Sequence, residues 1–263
     1  MVPPLRVICQ SILKVSTFES RFLAAVRAIY FTRQRSAVDA FFPLVRDFTG
    51  LNNRYGQVAV PDFIDHLCSK SPILSSMIKF NFSSKLKCSI CQWVSESKSN
   101  DVSLKLPLGD LTHVRLSDLI STNLTALHAG DDAVFCGNCR TKTPQMSERC
   151  YNNPDLFLIE VIRVKQSTTG NRWIKNDAPI SFDVQDLKLP GFLRPYSIVG
   201  SCHHRGSLNG GHWITKISTS KGWFDMDDLR RDPLPCDPPG IDDASVSVIL
   251  LVSADKLGSL ASP

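Results

Sequence analysis

With 43% of its 263 residues apolar, the chain has enough hydrophobic surface to bury the core of one large or two small domains, which excludes a disordered protein. Thirty lysines and arginines against 25 acidic residues leave +5, spread without runs, so an acidic partner is favoured only weakly. The longest apolar run, Val246 to Val252, falls far short of the ~20 residues that a bilayer-spanning helix needs and reads as a buried strand.

From the amino end, apolar positions at residues 12, 13, 15, 18, 22, 23, 25, 26 and 29 mix spacings of three and four and predict helix. A second helical stretch covers Asp39 to Phe48, and Pro61 suits the first turn of a third, through Leu67. From Ile78 the texture changes to short strands: IKFNFSS, VSLKLPL, DLFLIEVIRV, YSIVGS, HWITKIS and SVSVILLV. Between the second and third of these, Leu116 to Leu127 reads as one helix opened by Ser117 or Asp118. The order is helices first, then mostly antiparallel strands, which makes the fold class α+β. The tail after Asp255 is expected to be loose.

Cysteine usage is informative. The first residues, Val2 to Val7, are broken by Pro3, Pro4 and Arg6 and lack the apolar core of a signal peptide, so an intracellular, reducing setting is expected. In such a setting the nine cysteines point to metal binding or catalysis rather than disulfides. Four of them form two CxxC pairs, Cys88-Ser-Ile-Cys91 and Cys136-Gly-Asn-Cys139. Each pair can make a tight knuckle, and two knuckles supply the tetrahedral four-thiolate shell preferred by Zn²⁺. Gly137 and Asn138 suit the turn inside the second knuckle. Such a shell has no open position, so a structural zinc ion is expected, and the long insert suggests a projecting group of strands. The knuckles lack the interleaved basic and aromatic residues of a nucleic-acid zinc ribbon, and no nucleic-acid partner is expected.

The stretch Tyr196 to Leu229 carries the catalytic signal. His212 follows two glycines and stands between two strand-like runs, joined by a glycine-rich loop from Arg205 to Gly211 that is expected to move. A return through Lys221 and Gly222 would bring Asp227 or Asp228 beside His212. A carboxylate there would hold one ring nitrogen and leave the other to act as a base. A lone histidine in a strand is more often structural, and an Asp-Asp pair is usually a turn. A thiolate nucleophile usually sits at a helix amino terminus, where the dipole and a nearby imidazole lower its pKa, and Cys9 precedes the first predicted helix.

These residues resemble a known family, the ubiquitin-specific proteases, which are papain-like cysteine peptidases. His204-Arg-Gly-Ser-Leu-Asn-Gly-Gly-His212-Trp213 looks like the family's histidine box, and Trp223-Phe-Asp-Met-Asp227-Asp228 looks like its continuation. Counting from Trp223 places the triad acid at Asp227, with Asp228 second. The CxxC pairs, each followed by its strand, match the family's fingers, and Gly56, Gln57, Asp62, Phe63 and Leu67 match a helix motif whose QD positions are here Val58 and Ala59. The resemblance covers residues 10 to 253. It implies a right-hand architecture over residues 1–255: a helical thumb (1–77), zinc-stabilised β fingers (78–150) and an antiparallel β palm (151–255), with a flexible tail at 256–263.

It also implies a cysteine-type deubiquitinase acting on ubiquitin and ubiquitinated proteins through a nucleophilic cysteine, His212 and Asp227, with Trp213 and Gly211 lining the channel for the modifier's Gly-Gly end; Cys9 is the candidate nucleophile on its place before the first predicted helix. A monomer in the cytoplasm or nucleus, without a membrane partner, is expected. Matching Ser11-Ile-Leu-Lys to the family's cysteine box, however, puts the nucleophile at Val7, with Cys9 two residues late. Three alternatives stay open: Cys9 reacts, the true cysteine box lies upstream, or the nucleophile is lost and the chain only binds ubiquitin. Action on a related modifier such as SUMO is a further alternative.

Overall fold

The computed structural model describes residues 60–261 except 71, 168, 169, 171, 209, 228, 231, 241 and 242. Cys9, Asp228, the two amino-terminal helices and the Gly56-Gln57 positions therefore lie outside the described residues. What is described is a mixed, strand-rich fold with few helices.

Helices α1 (Val60–Lys70) and α2 (Pro72–Ile78) come first, with Pro61 in the first turn of α1 as expected. Strands β1 (Phe80–Cys88), β2 (Val94–Asp101), β3 (Ser103–Pro107) and β4 (Val114–Arg115) lead to helix α3 (Leu116–Leu124). Then follow β5 (Thr125–His128), β6 (Val134–Cys136), β7 (Thr141–Thr143), β8 (Gln145–Tyr151) and β9 (Leu156–Ile162). Short strands β10 (Val164–Gln166), β11 (Trp173–Lys175), β12 (Ile180–Ser181) and β13 (Leu187–Lys188) precede the long pair β14 (Pro195–Ser207) and β15 (Gly210–Thr219). The chain ends through β16 (Gly222–Met226), β17 (Leu234–Cys236), β18 (Val246–Ser253) and helix α4 (Ala254–Ala261).

The larger sheet runs β17-β16-β15-β14-β18-β9-β3, with β13 also beside β14. Its centre is built from the most apolar segments: Phe157, Ile159, Val246, Ile249 and Leu251 are all buried. At ~1.5–3 kcal/mol for each large side chain, these strands dominate the hydrophobic stabilisation. The pairing is antiparallel as expected, except that β3 runs parallel to β9. The smaller sheet runs β2-β1-β8-β5. An aromatic cluster joins the two: Phe157 stacks on Phe192 at 5.0 Å, Phe192 on Tyr151 at 5.2 Å, and Phe80 lies 6.0 Å from Phe157.

Two expectations are corrected. The helix predicted over Leu116–Leu127 stops at Leu124, and no side chain caps its start at Arg115. Its buried stripe is Leu116, Leu119 and Ile120, while Leu127 is 62% exposed and stands opposite Met146 in a β-ladder, so the last apolar residue belongs to a sheet edge. The supposed loop Arg205–Gly211 is mostly ladder, with Arg205 opposite His212 and Ser207 opposite Gly210. Ladder pairing therefore covers most of the stretch expected to be a loop. Directly after Ser253, the last residue of β18, helix α4 covers Ala254–Ala261.

Candidate functional site

His212 is the third residue of β15, and two glycines shape its hairpin. Gly206 has φ +122°, and a Cβ there would lie 2.6 Å from the Gly210 carbonyl oxygen. A Cβ on Gly211 would fall 2.4 Å from both the Arg205 carbonyl oxygen and His204 Nε2. Glycine at these positions is a packing requirement, because the main chain of the facing strand and, at Gly211, the His204 ring occupy the space a side chain would need. The His204 ring also lies against the Trp213 indole, centroids 4.8 Å apart.

β15 turns through Gly222 (φ +109°) into β16, which pairs Thr215 with Met226 and so delivers Asp227 next to His212. His212 Nε2 stands 2.7 Å from Asp227 Oδ1, and the same oxygen accepts the Leu229 N–H at 3.0 Å. The hydrogen bond from His212, the Leu229 N–H and then the charges of His212 and Arg230 hold the Asp227 carboxyl below its ordinary pKa. An ionised carboxylate can only accept, so Nε2 carries the hydrogen and the neutral imidazole keeps its lone pair on Nδ1. The aspartate is nearly buried and the imidazole half-buried, at 8% and 32% side-chain exposure, so the carboxylate is sheltered while the imidazole can be reached. His212 and Asp227 thus come together as expected.

Three thiols among the described residues, Cys68, Cys202 and Cys236, are held in the protonated, unreactive form. Burial pushes Cys68 up to about 11, raises Cys202, and, with Asp225 adding to it, pushes Cys236 up to about 11. Cys150 is exposed on β8.

The two CxxC knuckles meet as the sequence predicts. The four sulfurs of Cys88, Cys91, Cys136 and Cys139 lie within 4.8 Å of one another and can hold a metal ion. Cys88 and Cys139 are 3.9 Å apart and Cys91 and Cys136 are 3.7 Å apart, close to the ~3.8 Å edge of a tetrahedron with ~2.3 Å metal–sulfur bonds. Each knuckle closes with the same backbone bond, Gln92 N–H to Cys88 O at 3.0 Å and Arg140 N–H to Cys136 O at 2.8 Å. The left-handed residues are Gln92 (φ 62°) and Arg140 (φ 55°), one step past each pair. Gly137 serves another purpose, since a Cβ there would lie 3.3 Å from the Trp93 ring. The Cys91 N–H, followed by the Thr143 hydroxyl, pulls Cys88 down to about 6, while the adjoining Cys91 thiol pushes Cys139 up to about 12. Four crowded sulfurs cannot all ionise alone; a dication removes that conflict.

A buried network behind the hairpin went unread in the sequence. His203 Nδ1 lies 3.1 Å from Asp243 Oδ2, and its Nε2 lies 2.7 Å from the Ser201 hydroxyl. Arg163 donates to the carbonyl oxygens of Val246 (2.7 Å), Ala178 (2.8 Å), Asn176 (3.1 Å) and Asp243 (3.2 Å). Although burial opposes it, hydrogen bonds from His203 and Ser245 hold Asp243 well below the usual carboxylate range. The order serine, histidine, aspartate is that of a catalytic relay, but Ser201 and His203 are each 2% exposed and no substrate reaches them. An arginine inside the apolar run of β9 and β10 was the one signal that could have pointed here.

The family described as ubiquitin carboxyl-terminal hydrolase matches residues 32–237. The chain is similar to the mouse ubiquitin carboxyl-terminal hydrolase 17-like protein A, 27% identical over 155 residues, which cover 56% of this chain and 29% of that protein. It is also similar to the probable ubiquitin carboxyl-terminal hydrolase 4 of Schizosaccharomyces pombe, 24% identical over 176 residues, covering 62% and 30% respectively. The match thus spans less than a third of either relative's length. With more than half of its length matched, this chain belongs to the ubiquitin carboxyl-terminal hydrolase family.

Proposed function

We propose that the chain is a cysteine-type deubiquitinase that hydrolyses the bond after the carboxyl-terminal glycine of ubiquitin. The observation that carries this reading is the 2.7 Å pair of His212 and Asp227 in a chain of this family. In the proposed reaction His212 Nδ1 takes the proton of the nucleophilic thiol, and the thiolate attacks the glycine carbonyl carbon. His212 then protonates the departing lysine amine, and water hydrolyses the thioester. Asp227 keeps Nε2 engaged and stabilises the imidazolium. Cys9 is the nucleophile we assign, and Asp228 stays the alternative acid. Cys88, Cys91, Cys136 and Cys139 would hold a structural zinc ion at the tip of the smaller sheet, which we assign as fingers, with the larger sheet as palm and residues 1–77 as thumb.

An electrophilic ubiquitin probe tests the assignment. A covalent adduct with the full chain, lost in Cys9→Ala and in His212→Ala, is the expected result. An adduct that survives Cys9→Ala moves the nucleophile elsewhere. No adduct, combined with calorimetric binding of ubiquitin, selects the second reading: a binding module without turnover, favoured by Val7 at the position aligned with the nucleophile. A SUMO probe run in parallel separates the modifiers.

A further inference from the structure

The hairpin that carries His212 has an unusual fastening. β18 pairs with β14 only as far as Val246 opposite His203, and the last bond on that flank is His204 N–H to the Ser245 carbonyl at 2.9 Å. A residue's N–H and C=O point to the same side of a strand, and residues two apart repeat the direction. The carbonyls of His204 and Gly206 therefore face the flank where β18 has ended. Lys175, in β11, fills that place: its Nζ donates to His204 O at 3.1 Å and to Gly206 O at 2.9 Å. Asp177 supplies the counter-charge at 2.9 Å, and the lysine side chain is only 11% exposed. The residue between the two carbonyls is Arg205, which stands directly opposite His212. One ammonium group thus grips the strand on both sides of the rung that bears the imidazole.

We propose that Lys175 is a positioning residue of the site: by holding the His204 and Gly206 carbonyls it sets the height of the Arg205–His212 rung, and with it the alignment of the imidazole on Asp227. Without the ammonium, two carbonyls lose their donors and the end of β14 is free to shift. A displacement of ~1 Å at a reacting group costs up to about a hundredfold in rate. This inference rests on the hydrolase reading, but its first test does not.

In the full chain, the low-field proton resonance of His212 Nε2–H, identified by its loss in His212→Ala, reports the bond to Asp227 directly. Lys175→Met is expected to move this resonance upfield or broaden it away, and Lys175→Arg to restore it. With ubiquitin bearing a carboxyl-terminal fluorogenic amide, Lys175→Met is expected to lower kcat by about 10- to 100-fold and leave KM within about twofold, with recovery in Lys175→Arg. An unchanged resonance and kcat in Lys175→Met overturn the proposal, as does an effect confined to KM. If Lys175→Met does not fold, Lys175→Gln takes its place; failure of both to fold overturns a site-specific role. Should the parent chain not hydrolyse the substrate, the hydrolase reading fails, and the resonance alone decides the fate of Lys175.

Discussion

Asp227 uses one oxygen for two donors, His212 Nε2 and the Leu229 N–H, so its position is fixed from the turn side as well as from the strand side. Replacing it with asparagine would present an amide that can donate as well as accept, and the imidazole could then take the wrong tautomer. Asp227→Asn is expected to cut turnover by on the order of 10³-fold or more while unfolding and metal content stay near the parent values, checked by steady-state kinetics beside urea titration. Because its pKa lies below the ordinary carboxylate value, Asp227 stays ionised above about pH 4 and does not set the acid limb of the rate profile there. Asp243 works differently, through stability. Its depressed pKa means that its contribution is present above the unfolded value of about 3.9 and is lost as pH falls below that toward the folded value. Asp243→Asn leaves His203 and Arg163 with a weaker partner and is expected to cost about 3 kcal/mol at pH 7 in urea unfolding. That difference from the parent should shrink below about pH 4.

The histidine-bearing hairpin makes a sharper statement at the level of the element, because neighbouring glycines have unequal jobs. Gly206→Ala and Gly211→Ala each drive a Cβ to within 2.6 Å of main-chain atoms, whereas Gly210 has open space around the same position. The first two are expected to lose at least about 2 kcal/mol and to misplace His212. Gly210→Ala should remain within about 0.5 kcal/mol. Denaturation midpoints of the three variants decide it; equal losses would mean that the hairpin adjusts freely. The same scale shows what the sequence made legible. β9, β14 and β18 were readable because burial forces apolar residues into them. β2, with the sequence VSESKSND, lies at a sheet edge with most side chains in water, so no hydrophobic period marks it. β5 was absorbed into a helix because Leu127 continued an apolar spacing that only the pairing with Met146 explains. The histidine–aspartate pair was legible because a short turn fixes which residues can meet. The Ser201–His203–Asp243 network was not, since forty residues separate the histidine from its carboxylate and nothing local links them.

Across the whole molecule, the four-cysteine cluster and the His212–Asp227 pair sit at opposite ends of a chain of contacts. Cys88 closes one end of β1, and Phe80 at the other end joins the aromatic cluster with Phe157 and Tyr151. Nine residues of strand separate those ends by roughly 25–30 Å, so what happens at the sulfurs reaches the main sheet through the strands of the smaller sheet. The smaller sheet has little else to hold its tip: Ile90, Val94, Leu127, Phe135 and Met146 are all substantially exposed. A metal ion held by the four sulfurs would replace the core that the tip lacks, as small metal-stabilised units generally require. We therefore expect one zinc per chain by elemental analysis. Its removal by a chelator should loosen the knuckles locally, seen as a change in the fluorescence of Trp93, whose ring lies against Gly137. Trp93→Phe, which removes the reporter, should abolish that signal and so distinguish it from the other three tryptophans. The low-field resonance of His212 should persist in the metal-free chain, because the aromatic cluster and the eight-stranded sheet do not depend on the sulfurs. If chelation erases that resonance together with the Trp93 signal, the two sheets form one cooperative unit and the metal supports the catalytic pair as well as the tip.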